Sequence, residues 1–493
     1  MELGILPRML AKKIAQNTII SIVSRILSTA LALIIVGIST RYLRQDGFGY
    51  YSTVLAFLYI FSVLADLGLY SITLREISKE GANESEIASH AFSLRFWAGL
   101  AIFILSPLVA WLFPYPLEIK IGILIAAFGY WFLSSTQVLI GIFQKYLKMA
   151  RVSLGEIIAR VVQLGLVIFF FFGISDKKTG FYLVVLAFSL SSFANFLFVW
   201  ISAQKYISVR FVWNISYWRK MLRESFPIAL SAIFAMVYFK LDTVMLSLMR
   251  PVQDVGIYSV AYKIMESLIF FPALLVGLIM PLLSKYAGSY QAEFKRISQK
   301  GFEILLIFAI PLAIGGLILS RPIVGLIAGD DFSQSVGVLK ILIFAAAIIF
   351  FGSLFSNMII ALGRQKTLAK IYALGAIVNF SINLFLIPRF SFWGAASSTL
   401  LTEALVTILM WLAIKKTADW APGFGLSFKI ILAAGLMAVS LYFFKEFNVL
   451  ISLGLGLIIY FGALFAAGGI SLKEILPLFT PTPERLAPKR DGE

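Results

Sequence analysis

Nine ionisable side chains sit well inside long apolar stretches of this chain: Arg25, Asp66, Glu156, Arg160, Lys240, Asp242, Lys263, Glu266 and Glu403. In an apolar setting an arginine or lysine can hold an anion such as a phosphate, and a carboxylate can carry a cation or a proton. Each such group costs at least about 2.5 kcal/mol in hydrocarbon unless it faces a partner or a wet cavity, so these are the first candidates for function. Glu156 and Arg160 are spaced i, i+4, and Lys263 and Glu266 i, i+3, so both pairs can close along their own helices. Lys240 and Asp242 are two apart and point to different faces; their depth matches Lys263 and Glu266, which suggests a four-residue network across two spans. Arg25 has no acid at i±3 or i±4 and is the expected ligand for an anionic substrate. The cavity set is therefore Arg25, Asp66, Lys240, Asp242, Lys263 and Glu266, with Glu156, Arg160 and Glu403 as secondary candidates.

Other chemistries are narrowed by what the chain lacks. Cysteine is absent and His90 is the single histidine, so thiolate chemistry is excluded and any metal site would be all-oxygen; no metal and no cofactor are expected. There is no GxxxxGK[ST], HExxH or GxSxG sequence, and no catalytic residue is expected.

The elements that position the nine charges follow from composition. Of 493 residues 60% are hydrophobic and 14% charged, against about a quarter charged in soluble proteins, so the chain is an all-α polytopic membrane protein. With roughly 20 residues per crossing, fourteen spans are expected at 17–40, 50–70, 91–113, 119–143, 152–173, 180–201, 225–249, 257–283, 302–320, 338–362, 368–387, 392–414, 427–444 and 448–470. The basic cluster Arg8, Lys12 and Lys13 precedes an apolar stretch longer than a signal-peptide core, so the first span reads as uncleaved. Hydrophilic pieces at 203–224, 284–301 and 471–493 are too short for catalytic domains. With the N-terminus cytoplasmic, the inner segments hold 28 Lys and Arg, the outer segments 10, and 4 lie within spans. The positive-inside rule then places both termini in the cytoplasm and reads the net charge of +17 as topology rather than nucleic-acid binding. Trp97, Trp111, Trp213, Trp218, Trp393 and Trp420, near span ends, read as an interfacial belt.

The chain also matches itself. Shifted by 207 residues, Gly49, Tyr51 and Ser52 fall on Gly256, Tyr258 and Ser259; shifted by 220, Leu154 and Gly155 fall on Leu374 and Gly375. Each repeat holds six spans, an even number, so both halves enter the membrane in the same direction. The expected organisation is an N-lobe at 1–202, a cytoplasmic linker at 203–224, a C-lobe at 225–416, and spans thirteen and fourteen with a cytoplasmic tail at 417–493. The charges do not repeat: Lys240 falls against Leu33 and Asp66 against Ala273.

The run SRILSTALALIIVGISTRYLRQDGFGYY from Ser24 to Tyr51, LADLGL around Asp66, and FKLDTVMLSLM followed by VGIYSVAYK between Phe239 and Lys263 resemble the polysaccharide-transport family of Wzx-type oligosaccharide flippases, within the multidrug/oligosaccharidyl-lipid/polysaccharide exporter superfamily. One departure is Arg44, where the family commonly has glycine. The resemblance implies two six-helix lobes arranged as a V around a central cavity lined by spans one, two, seven and eight, plus two C-terminal helices. It implies transfer of an isoprenoid-(pyro)phosphate-linked oligosaccharide from the inner to the outer leaflet of the cell membrane by alternating access. Arg25 would attract the pyrophosphate, and the Lys240, Asp242, Lys263 and Glu266 group would gate the exit or carry a coupling ion, proton or sodium. Expected partners are the lipid-linked oligosaccharide, membrane lipids and polysaccharide-assembly proteins, and no nucleic acid. The rivals are an ion-coupled drug or metabolite antiporter of the same superfamily, using acids such as Asp66 or Glu403, and a membrane-bound oligosaccharide polymerase, for which the loop at 321–337 offers the acidic pair Asp330 and Asp331.

Overall fold

A hydrocarbon medium offers no partner to a backbone N–H or C=O, so a spanning segment must close its hydrogen bonds within itself. The structure, a computed structural model, describes residues 5–469 apart from 67, 289 and 446, and for residues 5–19 and 226–238 the backbone alone. Every regular element among the described residues is helical. The side chains of Arg8, Lys12 and Lys13 and the expected tail at 471–493 lie outside the described residues.

The first group of helices is α1 (Ile5–Asp66), α2 (Leu69–Ile77), α3 (Glu84–Ala110), α4 (Leu117–Lys145), α5 (Met149–Gly173) and α6 (Lys177–Ala203). The second is α7 (Ile215–Met249), α8 (Val252–Tyr286), α9 (Gln291–Ala328), α10 (Ser335–Ala361) and α11 (Gln365–Ala418), followed by α12 (Ser427–Phe444) and α13 (Val449–Ala466). In the first group α4 packs on α3 and α6, and α5 on α6 and α1; in the second α10 packs on α8, α9 and α11, while α7 lies along α11. The pair α12 and α13 attaches to α9, and α1 joins the two groups by packing on α7, α8 and α9.

Eleven helices among the described residues are long and apolar enough to cross a membrane. Two of them turn back within their own length. α1 changes direction at Arg44, whose φ of 59° and ψ of −167° are non-helical, and this turn falls between expected spans one and two. α11 turns at Ser391, with φ 50°, three residues after Pro388 and between expected spans eleven and twelve. Expected span seven falls in α7, where the side chains of 226–238 are outside the described residues.

Several boundaries differ from the sequence reading. Span two was expected to run to residue 70, but α1 ends at Asp66 and Gly68 takes φ 67° at the start of α2, a left-handed conformation that glycine adopts without a Cβ penalty. The hydrophilic piece at 284–301 is largely helical, since α8 runs to Tyr286 and α9 begins at Gln291. The loop at 321–337 also shrinks: α9 continues through Pro322, because Ile323, Val324, Leu326 and Ile327 extend its apolar face, and it ends at Gly329 with φ 83° before a 3-10 turn, Asp330–Phe332.

Large apolar side chains cover the outside, with Leu112, Phe172 and Phe428 more than three-quarters exposed. Water does not tolerate such a surface over an area this large, and lipid does. Trp218 and Trp420 are buried rather than belted, Trp420 among Phe302 and Phe355.

The repeat has a structural counterpart at the junction of α1 and α8. A Cβ on Gly49 would lie 2.0 Å from the Val252 carbonyl oxygen, and one on Gly256 would lie 2.5 Å from the Gln45 carbonyl oxygen. Shifted by 207, Gln45 falls on Val252 and Gly49 on Gly256, so the contact is reciprocal, as two-fold related surfaces require. The second matched pair behaves alike. Gly155 lets α5 approach Asn195 and Val199 of α6, and Gly375 lets the first arm of α11 approach Val406 of the second; small residues at crossings are what allow membrane helices to meet closely.

Candidate substrate cavity

α1, α7 and α8 bring Arg25, Lys240 and Glu266 to one chamber of about 750 Å³. Its wall is mostly apolar, including Ile22, Phe239, Ile269, Phe270 and Leu274, and it extends to Leu147 and Met149 at the connection between α4 and α5. The Arg25 guanidinium lies 3.6 Å from Glu156 of α5 and 5.9 Å from the centre of the Phe270 ring. Arg25 is about half exposed, so this is a loose pair whose remaining N–H donors are open to an anion. Lys240 Nζ donates to Glu266 at 3.1 Å and lies 4.4 Å from the Tyr262 ring centre, and Lys263 donates to the other Glu266 oxygen at 2.7 Å.

A second cavity of about 360 Å³ opens between α1, α4, α5 and α6. It shares Arg25, Val152, Glu156 and Glu266 with the chamber, so the two adjoin. Many polar side chains line it: Thr136 and Gln137 on α4, Arg160 and Gln163 on α5, and Ser191, Ser192 and Asn195 on α6. Arg160 donates to Gln163 Oε1 at 3.3 Å, and Gln163 donates to the Tyr51 hydroxyl at 3.4 Å.

These positions revise the sequence reading in four places. Glu156 and Arg160 do not pair with each other among the described residues, because Glu156 turns across to Arg25 and Arg160 to Gln163. The expected four-residue network has three members, Lys240, Lys263 and Glu266. Asp242 points the other way, into α11, where it accepts from Asn383 at 2.5 Å, Thr399 at 2.6 Å and Tyr258 at 3.2 Å, with Asn379 accepting from Asn383 at 3.0 Å. Asp66 lines neither cavity; it pairs at 3.1 Å with Arg95 of α3, which is 2% exposed and also donates to the carbonyls of Ala65 and Ser134. Arg95 lies inside the expected third span, and its nearness to the basic end of that span hid it. Glu403 is buried in the second arm of α11, outside both cavities. Asp66, Asp242 and Glu403 are thus drawn away, leaving Arg25, Arg160, Lys240 and Lys263 against Glu156 and Glu266 and giving the cavities a positive surplus.

At the turn of α1 the two groups of helices are tied together. Arg41 donates to the carbonyls of Ile327, Leu326 and Gly325 at 2.6, 2.8 and 3.2 Å, satisfying the last turn of α9. Beside it Arg44 pairs with Asp331 and Gln45 donates to the Asp331 carbonyl, so one member of the acidic pair, Asp331, serves as an attachment between α1 and the turn after α9.

Sequence comparison agrees with this architecture. A family profile described as polysaccharide biosynthesis protein matches residues 14–287, more than half of the chain, and the MatE profile matches residues 227–385. The chain belongs to the polysaccharide biosynthesis protein family. It is 28% identical over 212 residues to the probable flippase AglR of Haloferax volcanii, covering 42% of this chain and 44% of that one. It is 30% identical over 206 residues to a putative O-antigen transporter of Shigella dysenteriae, covering 39% and 48%. The chain thus spans about half the length of the curated relatives it matches. The solved structure of the lipid II flippase MurJ in an inward closed conformation superposes with a TM-score of 0.75 at 16% identity, over 94% of this chain and 99% of that one. The MATE multidrug transporter DinF-BH superposes at 0.61 and 15% identity, over 83% and 96%. These likenesses show a shared all-helical, multi-pass membrane fold.

Proposed function

We propose that this protein moves an isoprenoid-(pyro)phosphate-linked oligosaccharide from the inner to the outer leaflet of the cell membrane by alternating access, for cell-surface polysaccharide biosynthesis. The observation that carries the reading is the order of surfaces: an apolar chamber, a half-exposed arginine and a cleft rich in polar side chains, side by side. That order matches a lipid chain, a phosphate and sugars. Relatives named as flippases and an O-antigen transporter support it. The reading takes the chain through fourteen crossings, with lobes at 1–202 and 225–416, a linker at 203–224 and the last pair of spans in 417–493. Both termini are cytoplasmic, the chamber faces the cytoplasm and the Arg41 and Arg44 attachments seal the outer side. Partners are the lipid-linked oligosaccharide, membrane lipids, polysaccharide-assembly proteins and a coupling ion, proton or sodium.

We assign the ion to Asp242, because Asn383 Oδ1 beside it is buried without a hydrogen-bond partner and the surrounding Thr399 and Asn379 offer further oxygens. Antiport of hydrophobic cations is the weaker alternative, since the cavities carry more base than acid. The test is reconstitution in liposomes with a labelled isoprenoid-linked oligosaccharide. Arg25→Ala is expected to slow transfer about tenfold to a hundredfold, the loss of a hydrogen bond to a charged group worth about 1.5–3 kcal/mol. Full activity of that variant would sink the assignment of Arg25, and no transfer by the folded wild type under any gradient would sink the flippase reading.

A further inference from the structure

We propose that the polar cleft between α1, α4, α5 and α6 is a sugar subsite, taking the hydroxyl-rich end of the cargo while the chamber takes its lipid end. The inference rests on the flippase reading and divides the labour within it. Asn195 is 7% exposed and lines the cleft, its Oδ1 packed beside Gly155 of α5 with no hydrogen-bond partner among the described residues.

The neighbouring hydroxyls are arranged to accept. Ser191 and Ser192 both donate to the Phe188 carbonyl, at 2.8 and 2.9 Å, and Thr136 donates to the Phe132 carbonyl at 2.9 Å. With their single proton committed to the helix, each keeps its oxygen lone pairs for a partner that donates. Gln137 and Arg160 supply donors on the facing helices, and Phe188 contributes a ring to the wall. The acids Glu156 and Glu266 belong to the part shared with the chamber. A cleft of about 360 Å³ lies within the usual range for small-ligand sites, and its hydroxyls and amides suit it to a guest rich in hydroxyls.

The repeat sets the cleft against the Asp242 site of the other half. Asp242 and Asn383 correspond to Ile35 and Gln163 under the shifts of 207 and 220. In the second half the carboxylate gathers Asn383, Thr399 and Tyr258 around itself. In the first half Ile35 stands in its place, so Gln163 has no carboxylate to close upon and lines the cleft instead.

The chain has no cysteine, so single-cysteine variants can be read without background. Ser192→Cys reports on the cleft and Leu274→Cys on the chamber, each reconstituted in phosphatidylethanolamine and phosphatidylglycerol vesicles and labelled with a small thiol reagent. The added probes are undecaprenyl diphosphate, which bears no sugar, and the isoprenoid-linked oligosaccharide fraction extracted from the source cells. Total labelling after denaturation normalises for the amount of protein. Both probes are expected to slow labelling of Leu274→Cys severalfold, and only the sugar-bearing fraction to slow Ser192→Cys. Protection of Leu274→Cys by both probes with Ser192→Cys unaffected by the sugar, or protected equally by the sugar-free lipid, overturns the subsite and leaves the flippase reading standing. Protection of neither position overturns the flippase reading, and the subsite with it.

Discussion

At the residue scale the decisive feature is the company each interior charge keeps. Arg25 is held by one loose carboxylate and an aromatic ring, so an arriving phosphate displaces little. Asp242 is held by three short polar contacts in a site with 3% exposure, so its charge is served by the protein and not by water. Asp242→Asn keeps the shape and removes the charge. In proteoliposomes it is expected to abolish the dependence of transfer on the ion gradient while binding of undecaprenyl diphosphate at the chamber stays within a factor of about two, well under the tenfold that 1.4 kcal/mol represents. Gradient dependence that survives the substitution would remove Asp242 from the coupling step.

At the element scale, two turns and one crossing set the geometry. Arg44 holds φ 59° with ψ −167°, a region where a residue with a Cβ is strained by about 1–3 kcal/mol. The glycine common at this position in the resembling family would be free of that strain. Against it stands an exposed pair with Asp331, of a kind worth about 0–1 kcal/mol. Arg44→Gly is therefore expected to raise the thermal midpoint of the detergent-solubilised protein, and a lower midpoint would show that the Asp331 contact outweighs the strain. The crossing of α1 and α8 leaves no room for a side chain at Gly49 or Gly256. Gly256→Val is expected to prevent this close approach and cut transfer severalfold, with chamber binding of undecaprenyl diphosphate retained because position 256 is not part of its wall. Unchanged transfer would mean that the transport cycle does not need the crossing.

At the scale of the whole molecule, Arg41 holds the last carbonyls of α9 and Arg44 holds Asp331 at one end, while α2 and α3 meet α7 at the other through the Arg75–Glu224 pair and the stacking of His90 on Tyr217. The chamber lies toward this second end, at Leu147 and Met149. Alternating access then requires the Arg41 end to release. The double variant Arg41→Ala with Asp331→Ala is expected to raise hydrogen exchange in the last turn of α9 and in α1 around Arg44, since those carbonyls and that turn lose their partners. Exchange equal to wild type would show that the fastening does not govern this end.

Much of the architecture is legible in the sequence, because the hydrophobic demand of a membrane acts on each segment separately. Twenty apolar residues must form a helix whatever their neighbours, and the matched glycines mark crossings because a missing Cβ leaves its trace at one position. Arg25 was singled out on local grounds, by having no acid along its own helix, and Lys263 with Glu266 by having one. What the sequence could not decide was pairing between helices. Glu156 was within reach of Arg160 on its own helix and went to Arg25 on another; Asp242 left its expected partners for Asn383 and Thr399, 141 and 157 residues away; Asp66 found Arg95. The polar cleft is of the same kind, drawn from four helices whose hydroxyls and amides look unremarkable one span at a time. The sequence by itself determined which segments enter the membrane and which charges must be answered there, and only the tertiary structure decided which group answers each, because contacts between helices depend on rotation and crossing that no single segment contains.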